Sequence, residues 1–403
     1  MPALNLVVTA RAPLMFSERR PDGQFRPSSP FVPGTVLRGA LAQELLNRDE
    51  GPDGDAFWSL FVSEDAPLFR NAYPALGLVP ATAFTCKAEG TKHGVWDGLI
   101  DRFCAESLVP SLPYLPRCRY KKQGHDEEHG ERVEALSGYY DPEPEIEIAV
   151  PPPSRLMTRV ALNRARRVAE PNLLYSPVAI SEVYPAKRDA EPGSERPTQF
   201  YGSIAGSEAA LDLVRHWLPC LTHVGSGISR GLGRVDVEPA ESPKDDLEDR
   251  LARFDTELRA RWAQWAPASG TKRDLKGSYF SILLMADALL RVDGWTPDVL
   301  LSPELLGEAG QGAVLVRSYA AMEHRGGWNS AWGLPKDTEP AVRAGGVYLY
   351  QVPNDTDLSG RLEALRALEK SGVGERRQEG FGQVRVCDPF HVKMIQRGEE
   401  AER

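Results

Sequence analysis

His223-Val-Gly-Ser-Gly-Ile-Ser-Arg-Gly-Leu-Gly-Arg234 places glycines at 225, 227, 231 and 233, after a helical pattern and before a strand. Residues without a Cβ allow positive φ and let a ligand come against the main chain. Successive N–H groups of such a bend can turn inward as an anion nest. Ser226 and Ser229 add hydroxyl donors, and Arg230 and Arg234 add guanidinium groups with bidentate reach to phosphate. Gly225, Ser226, Gly227, Ser229, Arg230, Gly231, Gly233 and Arg234 together supply what is needed to grip a polynucleotide backbone without reading its bases. A plain helix-to-strand connection would need fewer glycines and no paired arginines. The stretch is not a Walker A loop, because no Gly-Lys-Ser/Thr closes it. It is not a dinucleotide fingerprint either, because Arg230 stands where the third glycine belongs. Both motifs run from strand to helix, and this one runs the other way.

Outward from the loop, Ser207 caps an amphipathic helix with Leu211, Val214 and Leu218 on one side, and Arg234-Val-Asp-Val237 is a strand. The same sequence of parts recurs near the C-terminus. There a helix over Leu358 to Lys370, C-capped by Gly372, leads into a loop and then Gly380-Phe-Gly-Gln-Val-Arg-Val386. That run shares the frame Gly-apolar-Gly-polar-Val-charged-Val with Gly231-Leu-Gly-Arg-Val-Asp-Val237. Internal repetition of this kind points to a duplicated unit. Strands separated by helices, each unit ending in helix, loop and edge strand, predict an α+β chain of two ferredoxin-like (RRM-type) domains with glycine-rich loops and insertions.

The expected organisation has four parts. Residues 1–240 form an N-terminal RRM-type domain with an insertion at about 50–150. Residues 241–277 are a helical linker, 278–392 a C-terminal RRM-type domain, and 393–403 a polar tail. The first unit opens with the strand Asn5–Thr9, and the chain start reads as that strand and not as a signal peptide. A helix N-capped by Thr35 follows, with Leu37, Leu41 and Leu45 on one face. Ser242-Pro243 starts a long helix whose apolar positions are Leu247, Leu251, Phe254, Leu258, Trp262 and Trp265. Strands of the second unit are expected at Tyr279–Met285, Ala313–Met322 and Val347–Val352. Gln123–Arg132 and Lys187–Pro197 read as polar excursions.

The 403 residues carry a formal net charge of −9, which argues against indiscriminate nucleic-acid binding. Charge is inverted locally between Ser154 and Val168, where Arg155, Arg159, Arg164, Arg166 and Arg167 occur with no acidic residue. Arg155, Arg159 and Arg164 are candidates to line an RNA path. Gly34 and Arg38 are further candidates, because they put a helix N-terminus and a cation together. No apolar run approaches the roughly 20 residues of a membrane span, so no membrane partner is expected. The odd, dispersed set Cys86, Cys104, Cys118, Cys220 and Cys387 argues against a disulfide framework and for a cytoplasmic location.

These pieces resemble the RAMP superfamily of CRISPR-associated proteins. The resemblance rests on Phe31–Ala42, Arg159-Val-Ala-Leu-Asn-Arg164, Gln199-Phe-Tyr-Gly202, Gly225–Val235 and Gly374–Val386. Their order is most similar to the Csx-ten group, the Cas-five-like subunit of type III-D effector complexes. Gly326-Gly-Trp328, Gly333-Leu-Pro-Lys336 and Ala344-Gly-Gly-Val347 resemble the second half of that group. The resemblance implies a non-catalytic structural subunit in antiviral defence. It would bind the 5′ handle of the guide RNA (crRNA), meet target RNA only indirectly, and contact the Cas-ten-like large subunit and the first backbone RAMP subunit. Gly225 to Arg234 would cradle the handle, with Gly34 to Arg38 beside it. The family's second loop maps to Gly374–Gly382, where Glu375 and Glu379 dilute the positive charge.

No histidine sits in a metalloprotease, Ser-His-Asp or His-Asp phosphohydrolase pattern, so an enzyme is not expected. The alternatives are a metal-free endoribonuclease using His223 on precursor RNA, a backbone subunit that cuts target RNA with an aspartate, and a protein-only scaffold presenting helix 243–265. Cys86, His93, Cys104, Cys118, His125 and His129 crowd the insertion, but they lack a Cys-x-x-Cys pair, and Cys118-x6-His125-x3-His129 is a loose spacing. Neither metal nor other cofactor is therefore expected.

Overall fold

The computed structural model describes the chain apart from residues 17–24, 27, 49–50, 52, 112, 122–128, 143–144, 185–194, 242–245, 270–273, 330–332, 354–357 and 393–403. In β1 (Ala3–Ala10), Leu4, Leu6 and Val8 are buried, the alternation of a strand with one face on a core. In α1 (Gly34–Asn47), Leu37, Leu41 and Leu45 are buried one turn apart, as their spacing predicts. The expected Thr35 cap is not formed. Pro33 holds the N-cap position, and the Gly34 N–H donates to Asn71 Oδ1 at 2.8 Å. A side chain from outside the helix caps the first turn, which frees the Thr35 hydroxyl to donate to Glu379 at 3.4 Å.

The unit continues through β2 (Leu68–Phe69), β3 (Gln199–Ala205), α2 (Glu208–Trp217) and β4 (Val235–Ala240). Ser207 caps α2 as expected, accepting from the Ala210 N–H at 3.2 Å. The sheet order is β4-β1-β3-β2, and neighbouring strands are antiparallel.

The second sheet contains β5 (Ser278–Leu284), β6 (Val314–Tyr319), β7 (Val347–Val352) and β8 (Val384–Val386), in the order β6-β7-β5-β8. Numbered within its own unit, each sheet reads fourth, first, third, second. Between β5 and β6 the connection is made by 3-10 turns over Pro303–Gly310. The strand expected to run to Met322 ends at Tyr319, because the chain leaves the sheet to form a two-stranded ribbon of Met322–Asn329 with Leu334–Val342. The helix expected from Leu358 starts at Leu362, after one 3-10 turn. Gly372 terminates it with φ 71°, as its residue type predicts.

All seven residues of β5 are buried, so both faces of this sheet are covered. Part of the cover comes from segments outside the second unit. The helix Leu247–Trp265 adds Leu247, Leu251, Phe254 and Leu258, and the helix Leu99–Leu108 adds Leu99, Ile100, Phe103 and Cys104. The apolar face of Leu247–Trp265 is thereby taken up by the chain's own core, which removes that face as a partner surface. Buried Arg250 on this helix pairs with Glu369 at 2.9 Å and donates to the Val386 carbonyl, fastening it to the end of the second unit. The whole is a mixed helix-and-strand architecture of small antiparallel sheets, α+β in class. Among the described residues, no helix is long and apolar enough to cross a membrane.

Candidate nucleic-acid interface

The loop between α2 and β4 holds Gly225, Gly227, Gly231 and Gly233 at φ of 82°, 81°, 79° and 87°. At two of them a side chain is also barred by contact. A Cβ on Gly225 would lie 2.5 Å from the Met15 carbonyl oxygen, and one on Gly233 would lie 2.5 Å from that of Val224. The glycines therefore serve close packing as well as chain reversal. Ile228–Arg230 form a 3-10 turn between the left-handed Gly227 and Gly231.

The anion nest expected along the whole loop is reduced by internal bonding. The Ser226 N–H donates to the Met15 carbonyl, those of Arg230 and Leu232 to Gly227, that of Gly231 to Ile228, and that of Gly233 to Pro13. The first N–H groups of a helical turn have no partner within it, so Gly227 to Ser229 are the part of the loop that can offer them to an anion.

An open cleft of about 290 Å³ lies against this turn. Its walls are Ser226, Gly227, Ser229, Arg230 and Leu232 of the loop, with Arg159, Met15 and Pro177 from elsewhere in the chain. Arg159 opens the strand Arg159–Asn163, which pairs with Val168–Ile180 into a hairpin. Its Nη2 donates to the Arg230 carbonyl at 3.3 Å, tying the hairpin to the loop. Arg230 and Arg234 are exposed. The exposed turn Arg164–Arg167 ends the hairpin and extends the positive charge away from the cleft. Among the described residues, the assembly is a hydroxyl- and guanidinium-lined groove.

The other sequence candidates are placed elsewhere. Arg155 pairs with Glu182 at 2.7 Å, its charge matched by a carboxylate. Arg38 donates to the Phe61 carbonyl at 2.5 Å and lies over the Phe61 ring, and burial pulls its guanidinium pKa down against the charge of Glu379. Gly34 packs against Gly380, whose Cβ position is 3.2 Å from the Gly34 Cα. Gly34 and Arg38 thus face the second glycine loop and do not line the cleft. His223 forms an isolated β-bridge with Arg234, and its Nδ1 lies 3.0 Å from the Thr222 hydroxyl. Sequence reasoning missed Met15 and Pro177, which carry no chemical signature and reach the cleft only through sheet pairing. Away from the cleft, the ligand atoms of Cys86, His93, Cys118 and His129 lie within 4.8 Å of one another.

No family model and no curated protein matches the chain. Solved structures overlap it loosely. One, described as a type III-B Cmr-beta complex bound to cognate target RNA and AMPPnP, has a TM-score of 0.34 at 11% identity over 86% of this chain and 86% of that chain. Cmr-beta in its apo state gives 0.31 at 11% identity, covering 60% of this chain and 98% of that one. A Cas6 product complex gives 0.29 at 11% identity, covering 47% and 78%. The architecture stands on its own strand order and connections.

Proposed function

We propose that this chain is a non-catalytic RNA-binding subunit of the RAMP type, built on two ferredoxin-like halves and acting within a type III CRISPR effector complex. Its cleft would hold the 5′ handle of the guide RNA. The observation that carries this reading is the convergence of Ser226, Gly227, Ser229, Arg230 and Arg159 on one groove. The groove offers donors and positive charge, the chemistry of backbone contact and not of base reading. Strand order in both sheets supports the ferredoxin-like plan, and the motifs quoted above support the RAMP assignment.

The test is binding of a short single-stranded RNA to the purified chain, followed by fluorescence anisotropy over a range of salt. Replacing Arg230 and Arg234 together by alanine is expected to weaken binding about tenfold or more and to reduce the salt slope by about 1.4, roughly 0.7 per lost phosphate contact. Unchanged affinity and slope would sink the proposal. Specific cleavage of repeat RNA in EDTA, abolished by His223→Ala, would establish the endoribonuclease instead.

A second reading has one observation in its favour. The equivalent loop of the second unit docks on protein, so the first loop can serve the same end toward another subunit. Crosslinking of Ser229 to RNA supports the first reading, and crosslinking to a protein subunit alone supports the second.

A further inference from the structure

Four side chains of the insertion converge although their spacing in sequence is irregular. Cys86 ends the strand Ala83–Cys86, and His93 lies on Gly90–Asp97, its hairpin partner. Cys118 and His129 belong to a second pair of chain segments. These are held by the Cys118 N–H to the Glu131 carbonyl at 2.9 Å, the Gly130 N–H to Cys118 at 3.0 Å, and the His129 N–H to Tyr120 at 2.8 Å. Each pair therefore supplies one sulfur and one imidazole.

The distances match a tetrahedral metal site. Zinc bonds of about 2.3 Å to sulfur and about 2.05 Å to nitrogen at the tetrahedral angle put sulfur and nitrogen about 3.5 to 3.6 Å apart. Cys86 Sγ lies 3.7 Å from His129 Nδ1, and Cys118 Sγ lies 3.6 Å from His93 Nδ1. Two independent thiol–imidazole hydrogen bonds would explain each distance, but not why all four atoms meet within 4.8 Å. The rings are also oriented by packing. His93 stacks on Tyr120 at 4.0 Å and meets the His129 ring edge-on at 4.6 Å.

The surroundings supply a reason for a staple. Phe84, Cys86, Trp96 and Cys118 are the buried members of the local apolar cluster, two of them the cysteines themselves. A core of that size cannot stabilise a lobe alone, and small units of this kind rely on metals or disulfides. The remaining insertion cysteine, Cys104, lies in the core of the second unit, where burial first and then the charge of Asp101 push its thiol up to about 12. It is not a ligand, and His125 lies outside the described residues.

We propose that Cys86, His93, Cys118 and His129 bind one structural Zn²⁺ that joins the two segment pairs of the insertion. On binding, both thiols lose their protons to solvent and two S–Zn and two N–Zn bonds form, with no change of oxidation state. Four protein ligands close the coordination sphere, so the ion holds structure and does not activate water.

The test uses the full chain, purified under reducing conditions so that a Cys86–Cys118 disulfide cannot form. Elemental analysis is expected to find about one zinc per chain, and the Cys86→Ser/Cys118→Ser variant should retain less than about a tenth of it. Cobalt added to stripped wild-type protein should give the visible bands of a tetrahedral thiolate site, a measurement that does not depend on the variant folding. Metal removal should expose the segment between 86 and 132 to protease, and acidification should release the ion as the ligands take up protons. Absence of zinc together with absence of the cobalt bands would overturn the proposal. So would full zinc content in a folded double variant. RNA binding at the cleft is read separately, so either idea can fail alone.

Discussion

The two glycine loops have the same backbone and opposite surroundings. Gly225, Gly231 and Gly233 correspond to Gly374, Gly380 and Gly382, and all six have positive φ. Gly227 corresponds to Arg376, which takes the left-handed conformation at φ 52° despite its side chain. Even the anchoring bonds repeat. The Ser226 N–H donates to Met15 and that of Glu375 to Leu289, while those of Gly233 and Gly382 donate to Pro13 and Asp287. The side chains then diverge. Arg230 of the first loop stands where the second has Glu379, and Arg234 where the second has Gln383. The first loop opens on a cleft. The second is closed by Arg376 and Lys336 on Glu379 at 2.8 and 2.6 Å, by Arg376 on Glu339 at 2.8 Å, and by Gly380 against Gly34 and Asn71 of the first unit. One loop conformation thus borders a groove in the first unit and a joint with the first unit in the second, and the side chains at matching positions differ in charge accordingly.

The largest expected effect tests the joint. Gly380→Ala would put a Cβ 2.5 Å from Asn71 Oδ1 of the first unit at a positive φ, whereas a Cβ at the matching Gly231 meets open space. Urea unfolding is expected to show a loss of about 3 kcal/mol or more for Gly380→Ala and about 1 kcal/mol for Gly231→Ala. Equal losses would show that the second loop is as free to shift as the first. Next comes the groove. Arg230→Glu gives the first loop the residue found at the matching place in the second, and RNA affinity is expected to fall about 100-fold, some 2.7 kcal/mol. A fold retained by circular dichroism with affinity retained as well would break the contrast.

The smallest effect concerns Glu379. Burial pulls its carboxyl pKa up, but hydrogen bonds and charge from Arg376 and Lys336 win and hold it at about 2, against an ordinary 4.5. A depressed folded-state value contributes stability above the unfolded pKa, and that contribution is lost as pH falls from about 4.5 toward about 2. After allowance for solvent screening, Glu379→Gln is expected to cost about 2 kcal/mol near neutral pH. Thermal melts of wild type and variant should converge on acidification while RNA affinity stays unchanged. A constant gap between them would place the stabilisation elsewhere.

What residue order alone determined here is local. Positive-φ positions follow from glycine, the α2 cap from Ser207, and the buried stripe of α1 from leucines one turn apart, because each depends on neighbours within a few residues. The recurrence of the glycine loop was legible for the same reason, since Gly-apolar-Gly-polar-Val-charged-Val repeats as a string. Tertiary structure decided which loop stays open, since Gly34 and Arg38 meet the second loop only once the two units pack together. It also drew Arg159 into the groove through the hairpin, and it placed the helices Leu99–Leu108 and Leu247–Trp265 on the second core. Cys86, His93, Cys118 and His129 became a cluster only through strand pairing. Contacts between residues distant in sequence are set by how whole elements bury their apolar faces, and spacing along the chain carries no record of that.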